Sequence, residues 1–423
     1  MKEWNNVKLG EYIDVLSGFA FKSKDFSDSG IPVIKIKNVS PPCITLDDLS
    51  YVPEDVAFQN LKYILKKGDV LIAMTGSHIN QIASVVGRVG RVRYDNLTVL
   101  NQRVGKIINK NDKYSNLDYI YYFLSQYDVK VELAQKAGGA ANQANISPSD
   151  IKNLYFPCPP IEVQNKIATI LSRYDSLIEN YQKQIKLLEE SAQRLYKEWF
   201  IDLRFPGHEN VQIVDGVPEG WEVVTVDDLA GKLESGSRPK GGIDTSIKYG
   251  VASVGAENVI GLGQYNFSSE KLVTYDFYSN AKRGKIENKD ILIYKDGAYI
   301  GRTSLFQDNF PHKKAMVNEH VFLLHTKKEV NQYFLFFTLY QKVYFEKMQK
   351  LNKNAAQPGI NQDAIKSIKL LMPNERLIVL FDEIISPMMK VLFDLAIQIH
   401  NLTEARDRLL PKLISGEIEV KIQ

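Results

Sequence analysis

Residue types that carry chemistry by themselves are thin in this chain. Its six histidines, His312 and His320 among them, are not read as a metal-ligand set, so no metal centre is expected. Cys43 and Cys158 lie too far apart for a zinc-ligand pair and are too few for a disulfide framework; both are expected to be small buried residues. Asp276, Glu287 and Lys289 can be written as a nuclease-like acidic pattern, but an acid two residues before a lysine recurs by chance where 24% of residues are charged. The run Gly-Ser-Arg-Pro-Lys-Gly-Gly at 236–242 resembles a phosphate-cradling loop only superficially, because its lysine precedes the last glycines. Neither a Gly-x-Ser-x-Gly elbow nor a glycine-rich nucleotide fingerprint occurs, and no catalytic residue is expected.

Cations in clusters are more informative. Between residues 70 and 111 one acid, Asp95, stands against Arg88, Arg91, Arg93, Arg103, Lys106 and Lys110. Further along come Lys282, Arg283, Lys285, Lys295, Arg302, Lys313 and Lys314, interspersed with Glu287, Asp290, Asp296 and Asp308. Phosphates call for clustered Lys and Arg, whereas base edges call for Arg, Asn, Gln, Lys and Ser on loops able to enter a groove. Loop 76–81, with Ser77, His78, Asn80 and Gln81, fits that second need, as does loop 295–299, with Lys295 and Tyr299. Lys35, Lys37, Arg238 and Lys240 complete the DNA-binding candidates, and the competing reading is a merely solvated face.

These residues need a scaffold. With 423 residues, 44% of them hydrophobic, the chain is long enough for two or three domains with real cores, which excludes a disordered tail protein. Its net charge of +3 says little about partners. No apolar run approaches the ~18 residues of a membrane span and residues 1–6 contain no apolar leader core, so a soluble, cytoplasmic protein is expected.

The scaffold is duplicated. Trp4, Val7, Leu9 and Gly18 answer to Trp221, Val224, Val226 and Gly236, and Asn101 and Val104 recur as Asn318 and Val321, an offset of 217 in the last two pairs and in the tryptophans. Tyr119, Gln143, Ile146, Ile151 and Pro159 recur as Tyr333, Gln357, Ile360, Ile365 and Pro373, all displaced by 214. Strands are expected at 31–36, 69–74, 84–92 and 99–108, answered by 251–254, 290–294, 303–306 and 320–325. Helices follow at 117–136 and 331–350, their aromatic stripes read as core. A heptad seam closes each unit. Leu171, Ile178, Ile185, Ala192 and Trp199 form one row and Tyr174, Tyr181, Leu188 and Leu195 the other; the second unit has Ile378, Ile385, Leu392 and Ile399 beside Phe381, Met388, Leu395, Leu402 and Leu409. Each seam needs a partner, and the other copy, antiparallel, is the economical one. Ser172 with Asp175, and Ser386 with Pro387, read as helix starts. A short helix followed by one of about 24 to 28 residues, roughly 36 to 42 Å, is therefore expected in each unit, close to one turn of B-DNA.

The order of these features in duplicate resembles the specificity subunits of type I restriction-modification systems. The likeness rests on Gly68-Asp69-Val70-Leu71-Ile72 and Lys289-Asp290-Ile291-Leu292-Ile293, on Gln143-Ala144-Asn145-Ile146-Ser147 and Gln357-Pro358-Gly359-Ile360-Asn361, and on the stretches 199–206 and 408–417. It implies an α/β mixed fold: two tandem α+β target recognition domains joined by two long antiparallel coiled-coil helices, pseudo-two-fold symmetric. The expected division is 1–157 and 207–372 for the recognition domains, with 158–206 and 373–423 for the helical regions. The seam residues expected to pair are Leu171, Ile178, Ile185, Leu188 and Leu195 with Ile385, Leu392, Leu395, Ile399 and Leu402. The resemblance further implies a non-catalytic reader of bipartite double-stranded DNA that docks two methyltransferase subunits and, where restriction accompanies modification, two restriction/motor subunits. S-adenosylmethionine, ATP and magnesium would belong to those partners; no Asn-Pro-Pro-Tyr methyltransferase motif occurs in this chain. The competing readings are a stand-alone nuclease or methyltransferase and an orphan protein-binding adaptor.

Overall fold

The computed structural model describes residues 4–76, 85–138, 144–352 and 358–421. Two compact units emerge, and they do not follow the linear division expected above. The first comprises Met1–Ser176 together with Thr403–Gln423, and the second Leu177–Leu402. The boundaries fall inside two long helices, Ile161–Tyr196 and Glu375–Ile414, so the C-terminal end of the second helix packs into the first unit's core beside Ile167 and Leu171.

The duplication extends to strand register. In the first unit Ile13–Ser17 pairs with Val104–Asn109, which pairs with Val70–Ala73, which pairs with Val89–Arg91; all are antiparallel. Ala230–Ser235, Val321–Thr326, Ile291–Tyr294 and Thr303–Leu305 repeat that order in the second. A second sheet places Ile31–Ile34 between antiparallel Ser50–Val52 and parallel Thr98–Leu100, as Val251–Val254 lies between Lys271–Val273 and Ala315–Val317. Each unit is closed by an antiparallel pair joining its start to the strand before its long helix: Asn6–Lys8 with Tyr155–Pro157, and Glu222–Thr225 with Lys369–Met372.

Several elements differ from the sequence reading for identifiable reasons. The run 99–108 is two strands in different sheets, Thr98–Leu100 and Val104–Asn109, because a turn closed by Val104 N–H donating to Asn101 O (2.9 Å) carries the chain across. Of 84–92 only Val89–Arg91 is strand among the described residues. Helix 117–136 is two helices, Leu117–Leu124 and Tyr127–Lys136, broken where Gln126 turns extended (ψ 142°); 331–350 breaks likewise at Gln341 (ψ 141°). Side-chain caps start the first helix of each pair, Asn116 accepting from Tyr119 N–H and Asn331 from Phe334 N–H. Their aromatics are core as expected: Tyr119, Tyr122, Phe334, Phe336 and Phe337 are all fully buried.

The helix starts at Ser172 and Ser386 are overturned. Both lie inside continuous helices of 36 and 40 residues, about 54 and 60 Å by the rise per residue. Ser172 Oγ donates back to Thr169 O (3.1 Å), as a serine within a helix does. Pro387 faces solvent while Phe381, Ile385, Met389 and Leu392 on the same helix are fully buried, so tertiary packing outweighs the lost backbone hydrogen bond.

Candidate nucleic-acid interface

The seam forms in two parts. Within the first unit Leu171 packs in one core with Leu410, Leu413 and Ile414, and Asp175 meets Arg406, so the two helical segments run antiparallel there. Within the second, Ile178, Ile385, Leu392 and Leu395 are buried, and Ile185 shares a core with the last three. Leu188, Leu195, Ile399 and Leu402 are only half-buried. The row every seven residues from Leu171 is covered throughout. The second row shifts toward each unit's body, where Asp175 and Tyr196 take the buried positions four residues after Leu171 and Ala192. A helix packed against both a partner and a globular body buries a wider face than an isolated coiled coil.

Asp175 was missed by reading it as part of a cap. It is 5% exposed and anchors an ionic network: Tyr122 Oη donates to it at 2.8 Å, Arg406 Nη1 at 2.7 Å, and Arg93 Nη2 lies 3.3 Å away. Burial pulls Arg406 toward its neutral form, but Asp407 and Asp175 more than offset this and its pKa is raised. Burial with the Asp175 charge pushes the Tyr122 hydroxyl well above the usual phenol range. Arg91 lies alongside, stacked 4.4 Å over the Tyr121 ring with Nη2 2.8 Å from Asp118. A cleft of about 440 Å³ opens beside the network, lined among others by Pro41, Pro42, Tyr127 and Pro411.

These pairings change how the cations read. Arg91 and Arg93 were expected to hold phosphates with Arg88, but both are largely buried against carboxylates of their own unit, and Arg88 is half-buried with a partner. Lys106 is likewise held by Asp69 at 2.6 Å, and Lys37 by Asp48. Lys35 donates to Ser50 Oγ (2.8 Å) beside the Phe26 ring. Arg103 is exposed. Ser77, His78, Asn80 and Gln81 lie outside the described residues. In the second unit Arg238 pairs with Glu319 at 3.0 Å, Lys295 lies 3.5 Å from Asp296, and Arg302 stacks 3.8 Å from the centre of the Tyr299 ring. Lys240, Lys282, Arg283, Lys313 and Lys314 are exposed; the last two line a cleft of about 450 Å³ with Tyr275 and His312. The structure thus leaves five candidate cations of the second unit exposed and holds Lys37, Arg91 and Arg93 of the first on its own acids, a distinction composition could not make.

Other polar residues have structural roles. His320 precedes the strand Val321–Thr326 and His325 lies within it, and they meet different carboxylates, Asp296 at 3.1 Å and Asp290 at 2.7 Å. Burial pushes Asp290 up to about 6, against the Glu287 N–H and His325 that favour its charged form. Cys43 and Cys158 are half-buried rather than buried, and burial raises the Cys158 thiol.

The chain is thus a duplicated α+β protein in which segments of both long helices complete each unit. Residues 1–190 and 218–406 match the family model described as the type I restriction modification DNA specificity domain, and the chain belongs to that family, whose members supply recognition and not catalysis. Curated relatives include the type I restriction enzyme MjaIX specificity subunit of Methanocaldococcus jannaschii, 26% identical across 99% of this chain and 94% of its own. The Escherichia coli EcoBI specificity subunit is 23% identical across 72% of this chain and 63% of its own. A crystal structure of a type I restriction-modification S subunit from M. genitalium shares the fold, with a TM-score of 0.58 at 17% identity, covering 99% of this chain and 97% of that one. No helix among the described residues is long and apolar enough to cross a membrane.

Proposed function

We propose that this chain is the specificity subunit of a type I restriction-modification complex and that each unit reads one half of a bipartite site in double-stranded DNA. The observation that carries this is the register-level duplication: two units with one strand order and different surface residues are suited to two related but unequal half-sites. The long helices hold the gap between the half-sites and dock two methyltransferase subunits, with restriction/motor subunits joining where present. S-adenosylmethionine, ATP and magnesium belong to those partners, and the protein works in the cytoplasm beside the DNA it reads.

The test is expression with the methyltransferase subunit encoded alongside it, followed by mapping of modified adenines in the host genome. A two-part motif with a fixed gap, absent when either chain is omitted, is the expected result. A chain that cut or methylated DNA unaided would instead be an enzyme, and one that bound a protein partner but left no methylation pattern would be an adaptor.

A further inference from the structure

The cleft in the second unit has no counterpart of like charge in the first. Its walls come from one end of the sheet formed by Lys271–Val273, Val251–Val254 and Ala315–Val317. Gly250 precedes the central strand, Lys313 and Lys314 precede its parallel neighbour, and Tyr275 follows the antiparallel one at the start of helix Tyr275–Asn280. Phe277 and Tyr278 pack that helix onto the sheet. Lys282 and Arg283, just beyond it, are exposed, as are Lys248 and Tyr249. Tyr249 is 88% exposed and Tyr275 59%, a large aromatic area for a protein to leave in water without a use. Among the described residues neither Lys313 nor Lys314 pairs with a carboxylate; Glu270 is taken by the lining residue His312, and the one acid adjoining a lining residue in sequence, Asp276 after Tyr275, is exposed.

The first unit reverses the sign. Ile31–Ile34 and Thr98–Leu100 pair in parallel in the same register, so the segments preceding them are equivalent to those lining the cleft. In place of Lys248, Tyr249 and Gly250 stand Asp28, Ser29 and Gly30, and in place of His312, Lys313 and Lys314 stand Asp95, Asn96 and Leu97. The helix after the antiparallel strand begins Glu54-Asp55 rather than Tyr275-Asp276. One fold position is therefore acidic in one unit, with Asp95 held by Lys67 at 2.9 Å, and basic in the other.

We infer that this cleft is a nucleic-acid backbone site private to the second unit, with Lys313 and Lys314 on DNA phosphates and Tyr275 against the adjoining sugar. The inference rests on the DNA-reading function proposed above. Interleaved exposed aromatics and unpaired lysines fit a duplex backbone, whose phosphates alternate with apolar sugar faces, better than an acidic peptide, which offers charge alone. The consequence is asymmetry: salt weakens the second unit's grip more steeply than the first's.

The test uses the full chain and a mixed-sequence DNA duplex, with binding measured across a salt titration and thermal unfolding as the check on folding. Lys313→Ala/Lys314→Ala should weaken binding at low salt and lower the slope of log K against log salt by about two, since each phosphate contact contributes roughly 0.9. Tyr275→Ala should weaken binding several-fold and leave the slope unchanged, because it removes a surface and no charge. If the wild type binds and the lysine variant binds identically, the cleft is not a backbone site and the DNA-reading function stands. If the wild type shows no salt-dependent binding, that function falls with it. Poly-glutamate binding that depends on the same lysines, with DNA binding unaffected, overturns the inference in favour of an acidic protein partner.

Discussion

Asp175 and Arg406 show how one residue position can be solved in two ways within one chain. Strand register and the repeat offsets match Arg93, Tyr122, Asp175 and Arg406 to Gln307, Phe336, Met389 and Ala192. Phe336, Met389 and Ala192 are buried in one apolar core and Gln307 is buried accepting from Tyr333 Oη at 2.8 Å, so the second unit is uncharged where the first has an ionic network. Breaking such a network at one member strands a buried charge, while replacing it wholly with apolar groups is often neutral or better. Arg406→Ala should therefore destabilise the first unit by about 3 kcal/mol or more, and the quadruple variant with Gln, Phe, Met and Ala at positions 93, 122, 175 and 406, which removes every charge of the network, should recover most of that loss in urea unfolding. Asp290 allows a pH test. Its folded pKa of about 6 lies above its ordinary value of 3.8, so the folded state holds the extra proton between them. This contribution to stability is complete below pH ~4 and is lost as pH rises through about 6. Asp290→Asn should remove that component, seen as a wild-type minus variant difference in urea midpoint that shrinks from pH 4 to pH 7; a pH-independent difference would refute it.

The helices carry the correction at the next scale. Heptad spacing located both, because a seven-residue apolar repeat has no other economical use, but local capping signals at Ser172 and Ser386 misled. Glycine-free sequence on either side and a covered apolar face let the second helix run through Pro387, which stays on the solvent side. Pro387→Ala restores a backbone donor and should stabilise the protein by about 1 to 3 kcal/mol, read as a raised unfolding midpoint. Burial also ranks the seam. Ile385 is fully buried and Leu188 half-buried, so Ile385→Asp should cost several kcal/mol and Leu188→Asp clearly less. Equal losses in parallel melts would mean that the seam, and not the unit's core, bears the load at both.

For the whole molecule, two units of matching topology and unlike surface predict modular reading. Exchanging residues 1–157 for those of a relative should change one half of the methylated motif and leave the other half and the gap intact; methylome sequencing of the chimera would show both halves altered if readout is not independent. The unit boundaries sharpen the design, because Ser176 and Thr403–Gln423 close the first unit and the retained Asp175 and Arg406 must still meet a tyrosine and an arginine at the exchanged positions of Tyr122 and Arg93. A relative without the Arg93 and Tyr122 counterparts should yield a chimera that assembles poorly until Asp175 and Arg406 are changed with them.

Sequence alone determined the duplication, the strand runs with their Asp69 and Asp290 punctuation, the aromatic helices and the long seams, because each is a periodic or repeated pattern that survives without knowledge of neighbours. It could not determine what any charge meets. Arg91, Arg93 and Lys106 look like phosphate ligands in an acid-poor stretch, yet their partners Asp118, Asp175 and Asp69 come from elsewhere in the chain, and only folding brings them within ion-pair distance. The same holds for the cleft beside Lys313 and Lys314: Gly250, Tyr275 and the two lysines meet because three strands end at one edge of a sheet, a fact of tertiary pairing that no local spacing encodes.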